Sequence, residues 1–222
     1  MITTTQRTNA PLGVPDAGSE FRIPTPVYAV LALWAAWAYW VGTSETFSAG
    51  PDVFFRPIAL TALGPVGIFL SAYALSARLR AWTYTIPVGL LTGLQAWRVI
   101  GFCFLPLWFF GILPGPFGLI AGLGDVAVGF GAAFVAYSIS KNTSLIGGPA
   151  FYQVHVWGLI DFAGAIGSAF LTSGAVPAVW TGPVTSHAME VWPLSIFPSF
   201  AVPLFTILHF IAIRNARRGA KA

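Results

Sequence analysis

Charge is what this sequence has least of. Lys, Arg, Asp and Glu make up 8% of its 222 residues, against 56% hydrophobic. Soluble domains carry about 25% charge. The deficit, about threefold, excludes a soluble globular enzyme and a disordered chain. A nucleic-acid partner is excluded too. The formal charge is +4, but the basic residues fall in short scattered clusters of the kind that orient membrane proteins. Cysteine is almost missing. Cys103 alone leaves no internal disulfide framework and no multi-cysteine metal site. What remains is apolar, with a mean hydropathy of +0.77. Such a composition predicts an all-α polytopic membrane protein whose main partner is the lipid bilayer.

A helix needs about 20 apolar residues to cross about 30 Å of hydrocarbon. Six stretches qualify, near 25–41, 53–76, 84–112, 117–138, 150–172 and 193–213. Residues 1–24 are expected to be a mobile cytoplasmic tail. The polar, Thr-, Pro- and Gly-rich start lacks the apolar core of a signal peptide. Residues 25–213 then form the six-helix domain and residues 214–222 a basic cytoplasmic tail. Threading six spans puts Arg7, Arg22, Arg78, Arg80, Lys141, Arg214, Arg217, Arg218 and Lys221 on one side and only Arg56 on the other. The positive-inside rule then predicts both termini in the cytoplasm and a multi-pass protein of the cell inner (plasma) membrane. The longest external loop, 173–192, holds Pro177, Pro183, His187 and Glu190. It is either a plain connection or a cover over the mouth of a cavity.

The informative polar residues inside the apolar stretches are Gln95, Arg98, Asp125, His155, Asp161 and His209. An ionisable group at mid-bilayer costs about 2.5–3.5 kcal/mol even on insertion scales, so such groups face the bundle interior and find partners. At about 1.5 Å rise per residue, Arg98, Asp125 and Asp161 lie about 21, 18 and 16 Å above the inner surface. They are expected to meet, with Gln95, one turn below Arg98, adding amide hydrogen bonds. One Arg and two Asp sum to −1, so one carboxylate is expected to take a proton or recruit a cation. The cluster either binds a substrate or only locks three helices together.

His155 and His209 lie at equal depth nearer the inner surface, about 6–8 Å from it. Two imidazoles so placed suit axial ligation of a haem b iron; hydrogen bonding within a helix interface is the alternative. The aromatic row Trp97, Phe102, Phe104, Trp108, Phe109 and Phe110 suits a quinone neighbourhood, or simply lipid contact and packing.

Gly122-Leu123-Gly124-Asp125 and Gly158-Leu159-Ile160-Asp161 align, with small residues following at four-residue spacing: Ala127 and Gly131, Ala163 and Gly167, Gly164 and Ser168. Such rows predict close backbone approach. The Gly122–Asp125 run also resembles the GxGD motif of intramembrane aspartyl proteases, although the order of the two aspartates and the lack of a Pro-Ala-Leu motif depart from that family. A broader resemblance rests on Gln95-Ala96-Trp97-Arg98-Val99-Ile100-Gly101, Leu113-Pro114, Gly124-Asp125, Gly158 to Asp161, Leu194 to Pro198, Pro203-Leu204 and His209. In these runs the chain resembles a widespread group of uncharacterised bacterial six-helix membrane proteins, which implies a six-helix fold and little else. The leading expectation is a small-solute transporter or permease, with an intramembrane enzyme using Asp125 and Asp161 a lesser alternative. The transporter's substrate site is Gln95, Arg98, Asp125 and Asp161, one Asp carries a coupling proton, and Pro193, Pro198 and Pro203 bend the last helix. A haem- or quinone-binding protein using His155 and His209, and a structural or assembly subunit, are the alternatives.

Overall fold

The computed structural model describes residues 21–50, 53–54, 56–176 and 178–219. Within them every regular element is a helix. Six helices are long and apolar enough to cross a membrane: α1 (Thr25–Ser44), α2 (Ile58–Leu75), α4 (Val88–Phe109), α5 (Gly115–Lys141), α6 (Pro149–Leu171) and α7 (Phe197–Gly219). A short helix, α3 (Ala77–Thr83), follows α2. The expected mobile tail falls almost wholly outside the described residues, as do Pro177 and Lys221. One end of the bundle, the loop face, carries residues 45–50, 53–54, 56–57, 110–114, 172–176 and 178–196. The opposite end carries residue 21, α3, residues 142–148 and the end of α7.

Local chemistry sets these boundaries. Pro114 and Gly148 precede α5 and α6, and a proline sits in the first turn of each, where its missing N–H costs nothing. Ser76 caps α3 by accepting from the Leu79 amide at 3.1 Å, and Arg80 closes the end of α2 by donating to the Tyr73 and Ala74 carbonyls at 2.8 and 2.6 Å. α7 starts later and ends later than the hydropathy suggests, so Pro193 precedes it. The Asn215 amide, in the stretch expected to be a tail, donates to the carbonyls of Thr83 and Ile86 at 2.9 and 3.1 Å.

α5 is the hub, packed on α4 and α6. α2 packs on α7 and α3. α1 leans on the start of α7. There the Trp34 indole donates to the Ser199 carbonyl at 2.9 Å. The residue four positions on, Pro203, has no N–H to give that carbonyl, so α1 supplies one. Two apolar clusters fill the bundle. Leu91, Ile139, Phe151 and Ile211 are in the cluster toward the chain-end face, and Phe104, Leu113, Phe117 and Met189 in the cluster toward the loop face. A polar layer lies between them.

The small-residue rows are split. Gly131 and Gly164 lie in the α5–α6 interface, where an added Cβ would sit 3.3 Å from Val154 and from Ile120, whereas Ala127 and Ala163 are exposed and a Cβ on Gly167 would meet nothing. The closest backbone approach lies between α5 and α4: a Cβ on Gly129 would sit 2.8 Å from the Val99 amide, and one on Gly118 would sit 3.1 Å from the Phe104 carbonyl.

Candidate functional site

α4 is not α-helical where it carries its polar groups. Gln95–Cys103 is a 3-10 helix, far longer than the usual three or four residues. Three residues per turn stack every third side chain in a straight row. Gln95, Arg98, Gly101 and Phe104 are that row, and all four are buried. In an α-helix the first and last would point to opposite faces. The poorer 3-10 geometry is sustained because the row meets α5 and α6 along its length. Across from it, Phe197–Ala201 opens α7 with a π turn.

Arg98 is 3% exposed and Asp125 8%. The Arg98 Nε donates to Asp125 Oδ1 at 2.7 Å, Nη2 pairs with Asp161 Oδ2, and Nη1 donates to the Gly158 carbonyl at 3.1 Å and to His209 Nε2 at 3.2 Å. The Phe162 ring lies against the guanidinium, 3.8 Å from Cζ. The expected meeting of Arg98, Asp125 and Asp161 is therefore present. With four of five N–H groups committed, Arg98 holds two carboxylates apart and has little left for an anionic ligand. Glycines make the room: a Cβ on Gly124 would overlap the Asp161 carboxylate, one on Gly101 the Asp125 carboxylate, and one on Gly158 would come within 2.8 Å of Arg98 Nη1.

Gln95 does not join the triad. Its Nε2 donates to the Phe205 carbonyl at 3.3 Å, because the 3-10 row holds its amide against α7. Nor do Asp125 and Asp161 form an aspartyl-protease pair: Arg98 stands between them, so they do not share a proton and a water.

His155 and His209 do meet, edge to face, with Nδ1 atoms 2.8 Å apart. Their proton positions follow from the neighbours. Arg98 only donates, so His209 Nε2 accepts and His209 Nδ1 carries the hydrogen. It donates to His155 Nδ1. His155 Nε2–H then donates to Thr92 Oγ1 at 3.1 Å, and Thr92 donates to the Val88 carbonyl at 2.9 Å. Thr92, His155 and His209 are wholly buried. This arrangement does not fit axial haem. A macrocycle has no room between nitrogens in hydrogen-bond contact, and the outer nitrogens already have partners.

A cavity of about 440 Å³ connects this layer to the loop face. Asp125 and Arg98 lie at its base and Ser173, Ser186, Met189 and Glu190 of the long loop at its mouth. The loop thus does contribute to the mouth. Ser186 pins it to the end of α6, its Oγ donating to the Ala169 carbonyl at 2.5 Å and its N–H to the Thr172 carbonyl at 3.1 Å. A second buried ion pair lines this end. Arg56, 5% exposed, donates through Nε to Glu190 Oε1 at 2.7 Å, and through Nη1 to the Gly50 carbonyl at 2.6 Å. Glu190, 3% exposed, also accepts from the Ala49 amide at 2.9 Å. Sequence reasoning singled out Arg56 only as the basic residue on the wrong side and Glu190 only as a loop residue. Their scarcity was the usable signal: opposite charges in a chain with so few, both assigned to the same face. Of the α4 aromatic row, Phe104 lines the cavity and is buried, whereas Phe102, Phe109 and Phe110 point outward.

Comparison with known families gives one match, a family described as a domain of unknown function (DUF8737), over residues 55–217. The chain belongs to the DUF8737 family. The matched region covers α2 to nearly the end of α7 and leaves out α1. Arg56, Arg98, Asp125, Asp161 and Glu190 all fall inside it, so both ion clusters lie in the DUF8737 part of the chain. No curated protein and no solved structure matches.

Proposed function

We propose that this protein is a transporter or permease for a small solute, coupled to a proton, in the plasma membrane, with both chain ends in the cytoplasm. One observation carries the reading: a cavity of about 440 Å³, in the range of small-molecule sites, reaches from the loop face to a carboxylate at mid-span. Asp125 gives one oxygen to Arg98, and its Oδ2 has no hydrogen-bond partner among the described residues. That oxygen is the solute contact. Asp161 is the partner carboxylate, and the proton that balances the triad resides on one of the two. Solute binding at Asp125 and proton release are alternatives for the same negative charge, which is the minimal requirement for coupling. The 3-10 row of α4 and the π turn of α7 flank the cavity, and such irregular turns change geometry at low cost. The basic residues at the chain-end face support the orientation.

The test uses protein in liposomes loaded with a pH-sensitive dye. A panel of small solutes is added, and solute-driven proton movement is recorded. Wild-type protein responds to at least one class of solute. Asp125→Asn, which keeps Arg98 balanced by Asp161, folds and gives no response. Wild-type proton movement in that variant refutes the proposal. The near-saturation of Arg98 favours one other reading, a lock that only joins α4, α5 and α6. It is supported if no solute moves protons while Asp125→Asn lowers the melting temperature.

A further inference from the structure

We infer that the cavity takes a hydrophobic monocation, a quaternary ammonium or aryl phosphonium, in exchange for one proton; this rests on the proposed role of Asp125 as the solute contact. The walls point to this ligand class. Trp97, Phe104, Phe117, Phe162, Phe197 and Phe205 line the cavity, and aromatic faces attract cations whose charge is spread over an apolar body. Phe162 already does so for the guanidinium of Arg98. A bare metal cation fits poorly. Hard cations such as calcium and magnesium need six or more oxygen ligands, zinc needs three or four protein ligands, and no group of three candidate metal-ligating residues occurs among the described residues.

Charge selects the sign. The ion groups at the cavity are Arg56 with Glu190 and Arg98 with Asp125 and Asp161. Two cations and three carboxylates leave −1. A monocation against Asp125 Oδ2 brings the total to zero, as a proton does. An anion would leave −1 even with the proton retained, an uncompensated charge in a low-dielectric interior, which is strongly disfavoured. The exchange balances as a protonated carboxyl plus a cation giving a carboxylate–cation pair plus a proton.

Access selects the apolar body. Trp97 and Ile100 are 63% and 51% exposed on the lipid-facing side of α4, yet they line the same cavity. Ile58 and Ala59 of α2 face them across it. α2 packs chiefly on α7, and with Trp97 and Ile100 exposed on the outer side of α4 the cavity opens sideways toward the acyl chains as well as toward the loop face. A ligand that partitions into the bilayer enters there without crossing the Arg56–Glu190 pair.

Tetraphenylphosphonium is the probe. It is titrated into the detergent-purified full chain by calorimetry, with a pH indicator in weak buffer. The expected result is one site, up to one proton released per cation bound, and affinity falling about tenfold per pH unit on the acid side by simple competition. Asp125→Asn weakens binding at least tenfold. Ala165→Phe, which fills the cavity away from the triad, does the same and guards against a misfolded charge variant. The neutral analogue triphenylphosphine binds more weakly and releases no proton. The inference is overturned if triphenylphosphine binds as tightly as the cation, or if both variants bind tetraphenylphosphonium like wild type. Binding with proton release but no movement of the cation in liposomes leaves the ligand class standing and removes the transport reading. Asp125-dependent proton movement driven only by neutral or anionic solutes does the reverse.

Discussion

Arg98→Met is the sharpest perturbation of this fold. Methionine keeps the length and apolar stem of arginine but removes the charge that faces Asp125, Asp161, the Gly158 carbonyl and His209. Two buried carboxylates are then left without a counter-charge. Breaking a buried ion cluster in this way costs about 3–5 kcal/mol. For a chain of this size each kcal/mol moves the melting temperature by about 2–4 °C, so a fall of about 6–20 °C is expected. Thermal scanning of the detergent-purified variant reads it. Adding Asp125→Asn and Asp161→Asn to the same chain removes the orphaned charges and is expected to restore most of the loss, since replacing a whole buried cluster is often close to neutral. A single variant that melts within about 1 °C of wild type would show that the triad does not hold the helices together. A triple variant as unstable as the single one would show that the loss comes from packing instead.

Four further outcomes follow from the same geometry. Gly158→Ala places a methyl group against His209 and Arg98 and is expected to cost about 1–3 kcal/mol through overpacking, seen as a lower melting temperature that Gly167→Ala, in open space, does not share. Glu190→Gln leaves Arg56 buried and uncompensated; limited proteolysis is expected to cut the 173–192 loop faster than in wild type, and unchanged cleavage would discount the pair as a latch. Trp34→Phe removes the indole donor to the Ser199 carbonyl and is expected to cost about 0.5–1.5 kcal/mol by thermal scanning. Phe104→Ala opens the floor of the cavity and is expected to cost about 3–5 kcal/mol, whereas Phe109→Ala, on the exposed side of α4, changes stability little.

The long-range meeting of Arg98, Asp125 and Asp161 is legible in the sequence because depth is arithmetic. A fixed rise per residue and three costly side chains at matching height leave few other arrangements. The same arithmetic put His155 and His209 level but said nothing of their azimuth, so it did not distinguish a gap for a cofactor from direct contact. Gln95 does share a face with Arg98, but the 3-10 rise of about 2 Å per residue sets it farther along the axis than an α-helical turn would, level with the Phe205 carbonyl. The three-residue spacing of Gln95, Arg98, Gly101 and Phe104 is present in the sequence, yet a 3-10 run of nine residues is maintained by tertiary contacts that no local pattern reveals. Arg56 and Glu190 are separated by 134 positions and lie in segments without periodicity, so only their rarity hinted at a pair. The seam of α5 was missed for a related reason. Gly118, Gly122 and Gly129 mix four- and seven-residue spacing, whereas in the more regular Ala127–Gly131 row Ala127 is exposed and only Gly131 meets a neighbour, Val154 of α6.

The donors that run from Arg98 through His209 and His155 to Thr92 and the Val88 carbonyl have a direction, and that direction makes the two imidazoles a readout. Each ring's tautomer is dictated by the neighbour before it, and the guanidinium dictates the first. Nitrogen-15 chemical shifts of His155, a residue that never touches Arg98, would therefore register the removal of that arginine: a population of reversed tautomers would emerge at a ring whose own contacts were left intact.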